Sequence, residues 1–178
     1  MSSARLFFAL WPDAAVRAAL QTSCESVTAS CGGRAVPPRN YHLTLAFLGQ
    51  VDLAHLPGIC AAAAQVQMPP LTLSLSRVGY FPGPRVLWVG PAEAPLALSR
   101  LADELWQSLA PLGLRLPARA FNPHLTLCRK TRRPPAQIAV PPVLWRVRSF
   151  ALLRSVTAPA GAEYSVDQCF PAGSSIEP

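Results

Sequence analysis

The sequence predicts an α+β chain of mostly antiparallel sheets, built as two related halves that face one another across a cleft. Three observations predict it. A six-residue phrase occurs twice, as Asn40-Tyr41-His42-Leu43-Thr44-Leu45 and Asn122-Pro123-His124-Leu125-Thr126-Leu127, at an offset of 82 residues (124 − 42). Elements read along the chain run strand-helix-strand-helix-strands and then helix-strand-strands, an order that suits antiparallel sheets. The repeat is far too long for a solenoid, so it marks two similar lobes. No linker or composition break divides the 178 residues, which fit one domain.

Leu6-Phe7-Phe8-Ala9-Leu10 reads as a buried opening strand, stopped at Trp11-Pro12. Asp13 is the expected N-cap of a helix reaching Ala29, with Val16, Leu20 and Val27 inward, ended by Cys31-Gly32-Gly33. Arg34 to Arg39 forms a stiff loop. The first phrase opens a strand over Tyr41–Leu48, which Gly49 closes. A second helix is expected over Leu53–Val66, its start delayed by Pro57 and Gly58. Leu71–Val78 alternates apolar and polar with period two, Phe81-Pro82-Gly83-Pro84 turns, and Arg85–Val89 returns as the hairpin partner. Leu96–Leu112 carries apolar residues at 98, 101, 105, 109 and 112, and Gly113 stops it. The second phrase opens a strand over Pro123–Cys128, and two β-rich segments come after it, Val143–Val156 and Glu163–Phe170. Residues 171–178 read as a loose tail.

Hydrophobic residues make up 51% of the chain and charged ones only 14%, yet 16 Lys and Arg stand against 9 Asp and Glu. The resulting net charge of +7 favours a polyanionic partner, either nucleic acid or a phosphorylated small molecule. Five cysteines at irregular spacings show neither a CxxC pair nor a zinc rhythm, so free thiols in a reducing cytoplasm are expected. The apolar run from Leu6 to Trp11 is too short for a signal-peptide core. No stretch approaches the roughly 20 apolar residues of a membrane span, so no membrane association is expected.

In a strand, residues i and i+2 share a face. Each phrase therefore presents His and Thr together while both leucines anchor the opposite side. If the halves face one another, His42, Thr44, His124 and Thr126 wall a single cleft. Imidazoles titrate near neutrality, so one can accept a proton while the other donates one. The threonine hydroxyls can bond nonbridging phosphate oxygens as charge develops. Such a set suits phosphodiester cleavage, and it requires no metal and no cofactor. Zinc held by His42, His124 and His55 would lack both an H-E-x-x-H pattern and a carboxylate set. His55, beside a helix start, reads as a surface or capping residue.

His42-Leu43-Thr44-Leu45 and His124-Leu125-Thr126-Leu127 resemble the paired HxTx motifs of the 2H phosphoesterase superfamily. Within it the chain is similar to the RNA 2′,3′-cyclic phosphodiesterases, also called 2′-5′ RNA ligases. The likeness runs nearly end to end, through Arg5–Leu10, His42–Gly49, Phe81–Gly90, the second phrase with Arg129, and Leu152–Ser155. It implies a two-lobed fold with helices packed outside, and one HxT strand in each lobe. It implies hydrolysis of a terminal cyclic phosphate to a 2′-phosphate, a reversible capacity for 2′-5′ ligation, and RNA ends as the partner. It also implies His42 as proton donor and His124 as proton acceptor, labels that the two near-equivalent phrases do not order by themselves.

Surrounding residues are weaker candidates. Arg129 offers a guanidinium fork for phosphate, although strict alternation places it on the leucine face. Lys130, Arg132 and Arg133 can steer an RNA backbone or form a solvated loop. Phe47, Tyr80, Phe81 or Trp88 can stack on a base, with core packing favoured for Phe47 and Trp88. Asn40 and Asn122 orient the strand starts, and Cys128 reads as a packing residue. The same chemistry would also serve a small cyclic nucleotide or ADP-ribose cyclic phosphate. A non-catalytic RNA-binding module is the reading of another class, which the intact His and Thr in both phrases disfavour. A monomer without an obligate protein partner is expected.

Overall fold

The opening apolar run is sandwiched from both sides in the computed structural model, which describes residues 2–115, 117–118, 120–136, 138–158 and 161–172. This strand, β1 (Ser3–Leu10), sends Leu6, Phe8 and Leu10 into the main core. Phe7 and Ala9 point the other way, into a smaller cluster with Ala151 and Leu153. Asp13 then caps α1 (Ala14–Ser23), accepting the Val16 N–H at 2.9 Å. The helix expected to reach Ala29 breaks at Cys24, and a short α2 (Glu25–Ser30) comes next. At the break the Ser23 hydroxyl donates to the Pro141 carbonyl at 2.5 Å, tying the end of α1 to a distant segment of the chain.

After β2 (Arg34–Ala35) and a 3₁₀ turn at Pro38–Asn40 comes β3 (Leu43–Asp52). Gly49 does not close this strand. It lies inside it at φ 75°, where the register against β1 skips Leu48, so the glycine serves a bulge and the strand continues. The second helix is shorter than expected: a 3₁₀ turn at Leu53–His55 leads into α3 (Leu56–Ala63), with Pro57 in its first turn. Strands β4 (Leu71–Phe81) and β5 (Val86–Pro91) form the expected hairpin. Helix α4 (Leu96–Leu109) buries Leu98, Leu101, Leu105 and Leu109. Leu112 falls in a closing 3₁₀ turn and is 39% exposed, so it does not continue the inward stripe.

The second phrase enters β6 (Leu125–Arg129). The stretch expected as one strand over 143–156 is two, β7 (Ala139–Val147) and β8 (Ser149–Ala158). The chain divides at Arg148 because β7 pairs with β4 whereas β8 pairs with β1, on the other side of the molecule. β9 (Gly161–Pro171) completes a hairpin with β8. Of the expected loose tail, Pro171 belongs to β9 and Ala172 donates to the Arg148 carbonyl at 2.8 Å. Residues 173–178 lie outside the described residues.

Among the described residues, eight of nine strands run in the order β7-β4-β5-β6-β3-β1-β8-β9, all neighbours antiparallel, with β2 beside β6. Two four-stranded lobes meet where β3 touches β6, through the single pair Leu43–Leu125. Those leucines are the same position of the repeated phrase, so the seam is the axis of the repeat. The first residues of α1 and α4, Ala14 and Leu96, are also 82 apart (96 − 14).

Candidate active site

The seam brings the two phrases together. Continuing the Leu43–Leu125 register by one residue each way sets Thr44 across from His124 and Thr126 across from His42. Both imidazoles, with Thr44, line one cleft of about 550 Å³. His42 Nδ1 lies 2.8 Å from the Asn40 carbonyl oxygen, and His124 Nδ1 lies 2.8 Å from that of Asn122. A carbonyl only accepts, so each Nδ1 carries a hydrogen and Nε2 is the basic nitrogen of each neutral ring. The Asn40 side chain fixes its strand start by donating to the Ala162 carbonyl at 2.7 Å.

A bulge repeated in both phrases sets the direction of the side chains beyond the threonines. Between Phe8–Ala46 and Ala9–Thr44 the register skips Leu45; between Leu87–Cys128 and Trp88–Thr126 it skips Leu127. Each extra residue resets the alternation. Leu45 with Ala46, and Leu127 with Cys128, are all buried, and the next residue emerges on the cleft side. Phe47 and Arg129 therefore line the cleft from equivalent positions, 82 residues apart (129 − 47). Arg129 thus leaves the leucine face that strict alternation assigns it. Phe47 is 47% exposed, which corrects the expectation that it packs in the core.

The imidazoles have different neighbours. His42 packs among Phe7, Trp11 and Tyr164, with ring centroids 5.0, 6.1 and 5.0 Å away. His124 meets the edge of Phe81 at 5.0 Å and lies 6.2 Å from Trp88, which is buried as expected. Burial lowers the pKa of His42 to about 4, the Asn40 carbonyl opposing and the positive charges of Arg129 and His124 assisting. Cys128 lies inside the core with its Sγ 2.7 Å from that of Cys31, and burial foremost, then the Cys31 contact, raises its pKa to about 12. A thiol held this firmly protonated is no nucleophile.

Other expected residues stand farther out. Thr126 is half-buried opposite Trp88 and is not part of the cleft wall. Lys130, Arg132 and Arg133 are exposed beyond the end of β6, and none lines the cleft. There the Arg132 and Arg133 N–H groups both donate to the Cys31 carbonyl at 3.0 Å. Tyr80 is half-buried and off the cleft wall, and alternation along β4 turns it away from Phe81. His55 is exposed at the start of α3. Arg5, Arg34, Arg39 and Tyr164 line the cleft, and motif spacing does not reveal them as site residues. Arg34 and Arg39 carry one visible signal, their place in the stiff loop leading to the first phrase. Among the described residues no three His, Cys, Asp or Glu side chains gather as metal ligands. No helix there is long and apolar enough to cross a membrane.

Two imidazoles with fixed tautomers, in an arginine-rich cleft between two antiparallel lobes, are the equipment of a two-histidine phosphoesterase. Residues 10–88 and 89–164 each match the LigT-like phosphoesterase family, one match for each copy of the phrase. The chain is 39% identical to an RNA 2′,3′-cyclic phosphodiesterase of Thermus thermophilus, over 93% of this chain and 89% of that protein. It is 33% identical to one of Archaeoglobus fulgidus, over 90% and 96%. The crystal structure of Escherichia coli LigT complexed with 3′-AMP superposes with a TM-score of 0.88 at 29% identity, covering 96% of this chain and 99% of that one. The chain belongs to the LigT-like phosphoesterase family, the 2H group that its two H-x-T phrases resemble.

Proposed function

We propose that this protein hydrolyses the 2′,3′-cyclic phosphate at the end of an RNA to a 2′-phosphate, using His42 as acid and His124 as base. The observation that carries this reading is the pair of Nδ1–carbonyl bonds, which fix the same tautomer on two imidazoles that line one cleft. The names of the relatives support the substrate, and the net charge and the cleft arginines suit a polyanion. Water attacks phosphorus while His124 Nε2 takes its proton; the bond from phosphorus to the 3′-oxygen breaks as His42 Nε2–H protonates that oxygen. Thr44, on the cleft wall, donates to a nonbridging oxygen, and Arg129 supplies charge-assisted bonds to the same group. No step calls for a metal ion. A 5′-hydroxyl in place of water would give a 2′-5′ linkage with the same two proton transfers, which is the ligation that the family resemblance implies.

The lowered pKa of His42 bears on its role as acid. Burial keeps the ring neutral near pH 7 until an anion enters. A bound phosphate then favours the imidazolium, so the acid forms only with its substrate in place. The test uses an oligonucleotide ending in a 2′,3′-cyclic phosphate, in the presence of chelator. His42→Ala and His124→Ala should each lose roughly 10²–10⁴ in rate. An activated aryl phosphodiester, whose leaving group needs no proton, should restore His42→Ala and not His124→Ala. Undiminished turnover of the RNA end by either variant removes the proposal, and rescue of the opposite variant reverses the two labels.

A further inference from the structure

A second groove, of about 670 Å³, runs beside the cleft along β1, β3 and β8. It opens directly from the cleft, because Arg5, Phe47, Ser155 and Thr157 line both. Beyond that shared wall it is bordered by Ser3, Gln50, Arg154 and Val156. Among the described residues none that lines the groove is acidic, whereas the cleft wall includes Glu163. Arg154 donates from Nε and Nη2 to Asp167 at 3.2 and 2.7 Å and stays one-third exposed. Phe47 stands at the junction with the Arg5 guanidinium 4.9 Å above its ring. An exposed aromatic ring backed by a cation, leading to a groove of hydroxyls, an amide and arginines, is the pattern that holds a single strand. Bases stack on the ring and the cations track the phosphates.

We infer that this groove is the path of the RNA body, with the nucleotides 5′ of the reacting cyclic phosphate leaving the cleft over Phe47 and running between β3 and β8. The inference rests on the proposed reaction and adds its substrate class: oligonucleotide ends in preference to cyclic mononucleotides. The bulge at Leu45 makes this possible, since without it Phe47 would face the core. Specificity for base identity is not expected, because stacking and phosphate contacts carry little sequence information.

The experiment compares kcat/KM for 2′,3′-cyclic AMP with that for di-, tri- and pentanucleotides ending in a 2′,3′-cyclic phosphate, at low salt. The unmodified chain should gain about tenfold or more from the mononucleotide to the trinucleotide, the gain that one stacked base supplies. The double variant Gln50→Glu/Val156→Glu puts two negative charges in the groove at exposed positions outside the cleft. It should lose most of the oligonucleotide gain, flatten the salt dependence, and turn over the mononucleotide as before, which also shows that it folds. Equal kcat/KM for all lengths overturns the inference and leaves the proposed reaction standing, as does a double variant that keeps the full oligonucleotide gain. Failure to turn over any cyclic phosphate would overturn the proposed reaction itself, and this inference with it.

Discussion

The two copies of the phrase share a backbone and differ in what surrounds it. In both, a carbonyl two residues earlier pins the imidazole, and a bulge at the second leucine turns Phe47 in one copy and Arg129 in the other toward the cleft. Across the neighbouring strands the likeness ends. Opposite Thr44 lies Ala9, itself paired with Ala151; opposite Thr126 lies Trp88, paired with Gly79. Beside the first histidine Trp11 and Tyr164 join Phe7 from outside the repeat, and the ring becomes half-buried. Beside the second, Trp88 stands within the sheet. Each tryptophan is also covered by an arginine, Arg17 at 4.8 Å from Trp11 and Arg77 at 5.3 Å from Trp88. Repetition fixes where the imidazoles are, and the unrepeated neighbours give each ring its own surroundings.

The largest effect that would sharpen this contrast is the pH dependence of stability. His42 has a folded pKa near 4 against about 6.5 unfolded. Above both values the ring is neutral in each state and contributes nothing. As pH falls from about 6.5 to 4 the unfolded chain takes up a proton that the folded chain refuses, so stability is lost in that window. The full shift corresponds to about 3 kcal/mol, an upper figure for a ring that is only half-buried in the open cleft. Urea unfolding of the unmodified chain and of His42→Gln across this range should differ by a slope present only with His42. Parallel curves would mean that burial does not set the first imidazole apart.

The second contrast is between the pairs beneath the histidines. A Cβ at Gly79 would come within 2.0 Å of the Trp88 ring, so Gly79→Ala must displace the indole that supports His124. Overpacking of this kind costs about 1–3 kcal/mol, and here the moved ring should also lower kcat. Ala151→Gly, at the corresponding place under His42, removes a methyl and makes no clash. If calorimetry finds Gly79→Ala no less stable than the unmodified chain, Trp88 is not confined as the structure has it.

What the residues announce, and what they withhold, divides along the same line. Both H-x-T faces come from alternation within six residues, and the meeting of the phrases comes from their repetition. The bulges are partly legible: Leu45-Ala46 and Leu127-Cys128 put two apolar residues in succession where alternation wants one. Their consequence, Phe47 and Arg129 turned to the cleft, depends on the register of β1 and β5, which no local pattern states. Tyr164 reaches His42 from β9 only because β8 and β9 join the first lobe after β7 has joined the second. That exchange at Arg148 also explains why one apolar stretch becomes two strands. Contacts of this kind are tertiary, and the composition of the segments does not encode them.

The smallest contrast lies at the helix starts. Helix α1 is capped by the Asp13 carboxylate on the Val16 N–H, while α4, which begins 82 residues later, has Pro95 at its cap and no side-chain bond. Pro95 has an extended backbone, with φ −59° and ψ 137°, the conformation that a Ser or Asp cap also adopts. The Val16 N–H is thus served by a side chain, whereas its counterpart in α4, the Leu98 N–H, is served by the Pro95 carbonyl at 2.9 Å. Asp13→Ala should cost about 1 kcal/mol, whereas Pro95→Ser should bring little gain, since the Leu98 N–H already has a partner and losing proline frees the unfolded chain. Neither residue touches the cleft, so kcat should stay unchanged in both. Equal stability of Asp13→Ala and the unmodified chain in urea would show that the α1 terminus needs the carboxylate no more than α4 does, and the two helix starts would then be equivalent.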